Sequence, residues 1–329
     1  MTTLASGIAD LALRPATLDD AEFVADMYTE LFPDDPEDPQ LIRHYWEHPW
    51  EKGSVERYLV LRDGRPAGLV GMSHVPWEDM PERYARAQGE LAHAVRTPER
   101  LAALFAFAEE RAAADGARRV TAWAWEHDRP RIDALLSRGF REERRERFWE
   151  LDLVSNREKL EEMTRASRQR MRDQGIRVLT VAESQDLDVR RKIWAMSEEA
   201  SLDVPTTVPH VATPYEVFEQ FFLNPGIRED RMWIARVGDD VVGVSVLNYP
   251  PVRGVVVTDW TGTARSVRGK GVARALKCET VIQAIGLGVD RVRTDNDSEN
   301  APILHINDTM GYKPRAPQIQ FIKDLLGGG

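Results

Sequence analysis

The run Arg268-Gly269-Lys270-Gly271-Val272-Ala273 carries the most chemistry per residue in the chain. It stands between an apolar strand pattern and a helical one. Glycines at 269 and 271 allow a tight turn that presents backbone N–H groups without Cβ obstruction. A helix starting near Gly271 adds the positive end of its dipole, and Arg268, Lys270 and Arg274 add formal charge. Together they describe an anion site at a helix N-terminus, suited to a pyrophosphate. It is neither a Walker loop, since GxxxxGK[ST] is missing, nor GxGxxG. The competing reading of RGKG alone is a glycine-containing loop with solvated basic side chains.

Two residues near this loop have the chemistry of a general base. Asp259 lies on the strand leading into it and is the first candidate. His305, on a later helix, is the second. Each has a plain structural alternative: Asp259 facing solvent or capping a neighbour, His305 packed or on the surface. Cys278, in the interior of the helix that follows the loop, reads as packing rather than as a nucleophile. Most of the nine tryptophans read as core, with Trp260 a candidate lining for an acceptor pocket.

The elements that must position these residues occur twice. VRGKGVARALK (Val267 to Lys277) is echoed by VRTPERLAALF (Val95 to Phe105), so Arg268 and Arg96 stand 172 apart. Gly311 in MGYKP and Gly139 in RGFRE share that offset of 172. Gly243 and Gly68 are 175 apart, which a small insertion explains. Two copies of one fold follow. The first half reads as a strand at Leu11–Ala16, helices to about Leu31 and over Pro39–Trp46, and a hairpin Tyr58–Met72 turning at Asp63-Gly64. A strand at Ala87–Val95, a helix from Pro98 to near Gly116, a strand at Val120–Trp125, a helix at Pro130–Arg138 and a strand at Phe148–Leu153 complete it. A polar segment, Asn156–Asp173, reads as a solvated connector helix. The second half reads as strand Ile176–Val181, helix Gln185–Ala200, a Pro- and Thr-rich loop Asp203–Pro214 and a short helix at Tyr215–Phe222. Then come a hairpin Met232–Leu247, strand Val255–Thr263, helix Gly271–Ile285, strand Arg291–Asp295, helix Ala301–Met310 and strand Ile319–Lys323.

The second half resembles the GNAT superfamily of N-acetyltransferases. Arg268, Gly271 and Ala273 match the family's motif A, [Q/R]-x-x-G-x-[G/A], at its spacing. Asn300, Asn307 and Gly311-Tyr312 match its motif B, in the variant that carries a second Asn where other members carry Tyr. Over its full length the chain resembles tandem-GNAT proteins of the mycothiol synthase type. The resemblance implies an α/β (α+β) fold class: two tandem GNAT folds, each a mixed, mostly antiparallel sheet flanked by helices. It also implies acetyl-CoA as cosubstrate, with the diphosphate on the backbone amides of Gly269, Lys270, Gly271, Val272 and Ala273. Thr261, Gly262 and Thr263 would take the pantetheine and polarise the thioester, between parallel strands that splay apart. Asn300 would hold pantetheine by its side chain, and the loop Asp203–Pro214 would cover the acceptor. Asn307 is expected with Asn300 among the cosubstrate-binding residues; it stands where many relatives keep a Tyr general acid, and an amide cannot serve as one.

In the first half, Arg96-Thr97-Pro98-Glu99-Arg100-Leu101 replaces RGKGVA. Both glycines are gone, and Glu99 sets a negative charge where a diphosphate would lie. Asp128 and Leu135 stand at the places of Asn300 and Asn307. The expected organisation is therefore a degenerate domain at 1–154, a helical connector at 155–175 and an acyl-CoA-binding domain at 176–329. The expected activity is N-acetyl transfer to a primary amine of a small molecule. The alternatives are a CoA-binding sensor or scaffold without turnover, or a protein lysine or N-terminal acetyltransferase.

Bulk properties agree. With 329 residues, 42% hydrophobic and 30% charged, the chain suits two folded domains. A net charge of −10 argues against nucleic acid and anionic lipid as partners. The single cysteine forms no intrachain disulfide, and a reducing cytoplasm is the natural expectation. MTTLASGIADLALRP lacks the basic and apolar regions of a signal peptide. No apolar run nears the roughly 20 residues of a membrane span, and no metal-ligand spacing occurs.

Overall fold

The computed structural model describes residues 2–3, 10–50 and 52–325. Part of the N-terminal stretch discussed above thus lies outside the described residues. The chain divides into two compact units. One comprises Met1–Glu146, Thr207–Val211 and Ala316–Gly329, the other Arg147–Thr206 and Ala212–Arg315.

In the first unit the elements run β1 (Thr2–Thr3), β2 (Leu11–Pro15), α1 (Ala21–Leu31), α2 (Pro39–Glu47), β3 (Ser54–Arg62), β4 (Arg65–His74), β5 (Tyr84–Leu91), α3 (Pro98–Ala114), β6 (Arg119–Trp125), α4 (Arg129–Ser137) and the start of β7 (Arg141–Asp152). Its sheet is ordered β1-β2-β3-β4-β5-β6, then Gln318–Asp324, then β7. All pairs are antiparallel except β5·β6. The final strand of the chain, predicted for the second half, therefore completes the first unit, with Phe321 opposite Ala122. Phe321 and Ile319 join Leu101, Leu104, Phe105 and Val120 in its core.

The second unit takes the rest of β7 and continues with α5 (Arg157–Asp173), β8 (Arg177–Thr180), α6 (Val189–Ser201), α7 (Tyr215–Phe218), β9 (Met232–Val237), β10 (Asp240–Asn248), β11 (Val256–Thr263), α8 (Val272–Gly286), β12 (Arg291–Asp297), α9 (Ala301–Met310) and β13 (Lys313–Pro314). Sheet order is β7-β12-β11-β10-β9-β8, and β11·β12 is the parallel pair. The connector helix α5 belongs to this unit: Leu160 and Met171 are buried. Each unit is thus a mixed, mostly antiparallel sheet flanked by helices, as the resemblance implies.

Differences from the predicted elements have local causes. The strand predicted at Ala87–Val95 lies at Tyr84–Leu91, because Tyr84–Arg86 find parallel partners in Arg119–Thr121 while His93–Val95 close a single 3-10 turn. Strand β7 begins at Arg141, seven residues before Phe148. Its polar start, REERRER, is held by the backbone of Gln318–Ile322 rather than by apolar side chains. Helix α6 begins at Val189 rather than Gln185, since Asp186 is drawn to Lys192 and Arg236, both at 2.8 Å. Among the described residues no helix is long and apolar enough to cross a membrane.

Candidate functional site: a strand splay headed by a glycine loop

Strands β11 and β12 pair in parallel at Val256–Val292 and Val257–Arg293. Beyond that point β11 runs on to Thr263 along β10, and β12 runs on to Asp297. Two strands that share only the foot of a ladder leave backbone groups open between them, as a bound extended arm requires.

At this divergence sits Asp259. The β10·β11 register passes from Val246–Trp260 to Leu247–Thr258, so Asp259 has no opposite residue and forms a β-bulge. The repeat makes the same point. Trp260–Thr263 correspond to Gln88–Leu91 at an offset of 172, whereas Thr258 corresponds to Ala87 at 171, with Leu247 and Met72 their ladder partners. Asp259 is the residue the second half has and the first lacks. In the first half, β4 and β5 pair in unbroken register from Ser73–Arg86 to Gly68–Leu91.

Asp259 is exposed by surface area, while the protein packed close around its carboxyl forms the walls of an open cleft. Those walls strip water from the carboxylate and push its pKa up to about 6, the Asp295 charge adds to the rise, and a hydrogen bond donated by Asn248 at 3.3 Å opposes it. A carboxylate titrating near pH 6 is matched to proton transfer at neutral pH. Asp295 stands two residues beyond the last paired residue of β12, as Asp259 does on β11. Within range of its charge, Lys277 of α8 is buried, 1% exposed, and burial pushes its pKa down to about 8 against the opposing effect of Asp295. Its ammonium lies 5.0 Å from the centre of the Tyr312 ring. Asp295, Lys277 and Asn248 were not among the sequence candidates. Its place at the end of the strand predicted at Arg291–Asp295 was the available signal for Asp295; nothing in the composition of α8 marks Lys277.

The glycine loop heads this splay. Gly269 (φ 74°) and Gly271 (φ 88°) both adopt the left-handed backbone that favours glycine. Gly271 is the N-cap of α8 and gives it no side-chain cap, so the first amides of the helix keep their need for an acceptor. Val272 is buried, Ala273 and Arg274 are half-buried, and Lys270 is exposed. Arg268 is turned to the chain itself: Asp203 binds it at 2.6 Å and binds Arg265 through two contacts of 2.7 Å, and these two cations hold the Asp203 carboxyl well below the usual range. Thr261 exchanges a 2.8 Å hydrogen bond with Ser245. Gly262 is buried, and a Cβ there would meet the Trp260 ring at 3.0 Å. Thr263 accepts from Arg268 at 3.4 Å through its carbonyl.

The motif B residues separate. Asn300 is the half-buried N-cap of α9 and makes no side-chain capping bond. Asn307 is fully buried and donates to Asn296 of β12 at 2.6 Å, so it braces helix to strand. His305 is on the exposed face of the same helix, beside the partly buried Leu304 and Ile306. Cys278 is fully buried, and burial pushes its thiol pKa up.

The corresponding splay of the first unit is filled. Strands β5 and β6 part after Arg86–Thr121. Into the gap Arg131 of α4 extends its guanidinium, donating to the Gly89 carbonyl at 3.0 Å and the Trp123 carbonyl at 2.7 Å. It also meets the wholly buried Glu90 at 2.9 Å. Arg96 ties Glu90 (2.7 Å) to Asp128 (2.6 Å). At the offset of 172 the second half has Gly262, Asn300 and Ile303 in place of Glu90, Asp128 and Arg131. The head of α3 is also satisfied. Thr97 accepts from the Arg100 amide at 3.3 Å, Pro98 has no N–H, and Glu99 bonds its own amide and Thr97, which draws its pKa down.

Comparison with solved structures places this geometry. The chain superposes on a tandem GNAT protein from the clavulanic acid biosynthesis pathway with a TM-score of 0.73 at 16% identity, covering 97% of this chain and 100% of that one. A GCN5-related N-acetyltransferase from Sphaerobacter thermophilus gives 0.65 at 18% identity, over 97% of each chain. A GNAT-family acetyltransferase from Colwellia psychrerythraea gives 0.59 at 11% identity, over 95% and 99%. No protein-family model and no curated protein matches the sequence. The fold is the tandem GNAT fold, as the two motifs imply.

Proposed function

We propose that the protein is an acyl-CoA-dependent N-acyltransferase, moving the acetyl group of acetyl-CoA to a primary amine of a small molecule through its second half alone. The observation that carries this reading is Asp259: a carboxylate set by a bulge where two parallel strands separate, its pKa raised to about 6.

The open splay and the uncapped α8 terminus fit the cosubstrate. The amides of Gly271, Val272 and Ala273 would take the diphosphate, with Gly269 and Lys270 shaping the turn. The β11 backbone at Thr261, Gly262 and Thr263 would take the pantetheine, aided by the Asn300 side chain. Acetyl-CoA supplies the activated acyl thioester. Asp259 and Asp295 present negative charge where an ammonium acceptor must arrive. Asp259 then takes the proton that frees the nitrogen lone pair. Orientation in one cleft contributes much of the remaining acceleration. Asn307, buried against Asn296, supplies no proton to the departing thiolate.

That last feature favours a second reading, a CoA-binding sensor without turnover. One experiment separates them: incubate the protein with acetyl-CoA and a broad amine panel, and follow free thiol with a chromogenic reagent while measuring CoA affinity. Amine-dependent thiol release supports the transferase. Tight CoA binding with no release from any amine supports the sensor, and no CoA binding contradicts both.

A further inference from the structure

Helix α5 lies against α8. Arg168 grips the buried Glu279 with two contacts of 2.7 Å, and the buried Thr164 and Ser167 lie beside Cys278. This docking brings the C-terminal turn of α5 to the glycine loop. Gln174 donates to the Lys270 carbonyl at 3.2 Å and to the Arg170 carbonyl at 3.2 Å. The Arg170 guanidinium reaches the Gly269 carbonyl at 3.5 Å, the long limit of a hydrogen bond. Its Nε lies 3.3 Å from the point where a Cβ on Gly271 would be.

Two consecutive loop carbonyls, those of Gly269 and Lys270, therefore face α5. In a planar trans peptide the N–H points opposite to the carbonyl of the same unit. The amides of Lys270 and Gly271 are thereby turned away from α5. The Lys270 amide is donated to Val267 at 3.3 Å. The Gly271 amide joins those of Val272 and Ala273 at the head of α8, where no intrahelical acceptor exists. Arg170 also adds a positive charge behind these donors.

We propose that α5 is a working part of the cosubstrate site: Arg170 and Gln174 are positioning residues that hold the loop carbonyls back and so aim its amides at the diphosphate of CoA. This rests on the transferase reading given above, and it assigns to the connector helix a role in binding rather than in linkage.

Both side chains are exposed, so truncating them leaves the core intact. The test compares wild type, Arg170→Ala, Gln174→Ala, their double variant and Arg170→Lys, using acetyl-CoA and S-acetylpantetheine, which lacks the diphosphate. The double variant is expected to raise KM for acetyl-CoA and Kd for CoA about tenfold, the loss of one or two net hydrogen bonds. Its kcat, and its kcat/KM for S-acetylpantetheine, stay within twofold of wild type, and Arg170→Lys recovers most of the affinity. Unchanged CoA affinity in the double variant, or an equal loss with S-acetylpantetheine, overturns the proposal. Failure of wild type to bind CoA at all would instead remove the function reading on which it stands.

Discussion

The two halves of this chain are built on one plan and differ in what fills the gap between their parallel strands. In the second half the gap holds an open carboxylate, Asp259, and the N-terminus of α8 is left without a side-chain cap. In the first, Arg131 lies in the gap, bonded to the backbone of both strands and to Glu90, and Thr97 and Glu99 occupy the head of α3. The first half has in effect supplied its own ligand. A guanidinium with five donors can satisfy carbonyls that a bound pantetheine would otherwise meet, and an acidic side chain can satisfy amides that a diphosphate would otherwise meet. What separates the open cleft, proposed to take the cosubstrate, from the filled one is thus a handful of substitutions (Glu90 for Gly262, Asp128 for Asn300, Arg131 for Ile303) and one inserted residue.

The contrast breaks most completely at Gly271. Gly271→Glu forces a side chain onto a backbone at φ 88°, sets its Cβ 3.3 Å from Arg170 and brings a negative charge to the proposed diphosphate site. CoA affinity is expected to fall at least ~100-fold by calorimetry, from strain of about 1–3 kcal/mol together with charge repulsion.

Asp259→Asn comes next. Loss of a general base lowers kcat by about 10²–10⁴, with CoA affinity nearly unchanged. In wild type, kcat/KM should rise as pH increases through about 6, where Asp259 loses its proton, and this limb should vanish in the variant. The sign for stability is opposite. A carboxyl whose folded pKa lies above its unfolded one stabilises the fold when protonated, and that contribution is gone above pH about 6. Asp259→Asn should therefore raise Tm at pH 8 while sharply lowering kcat.

Arg131→Met sharpens the first half. It leaves Glu90 buried beside one remaining cation, Arg96, and removes the bridge between β5 and β6. Removing one partner of a buried ion pair costs about 3–5 kcal/mol, read as a lowered denaturation midpoint of the first unit. No second CoA site should open, because the head of α3 is still occupied. At the small end, His305→Ala should leave kcat/KM within twofold of wild type, as His305 projects from the exposed face of α9.

Much of this was legible in the residues. The offset of 172 exposed the repeat, and the glycines at 269 and 271 marked the loop, because only a few residue types tolerate that backbone. Asp259 was visible as a titratable group on the right strand. Its place at a bulge was not, since a one-residue insertion shows only when ladder partners are known. The network around Arg131 was hidden for a related reason: Glu90, Arg96, Asp128 and Arg131 are spread over 42 positions, and read singly they look like solvated charges. The polar composition of α5 likewise reads as a solvated connector, because charge patterning reveals exposure and not which exposed side chains reach a neighbouring loop. By sequence order the terminal strand reads as part of the half it follows, since nothing local to Gln318–Asp324 specifies which sheet it enters.

Calorimetric titration of CoA into the full-length wild-type protein and into Gly271→Glu tests the account most directly. It predicts one site per chain in wild type and none in the variant. Two sites in wild type, or one that survives the substitution, would mean that the first half binds the cosubstrate and that the division of labour drawn between the halves is false.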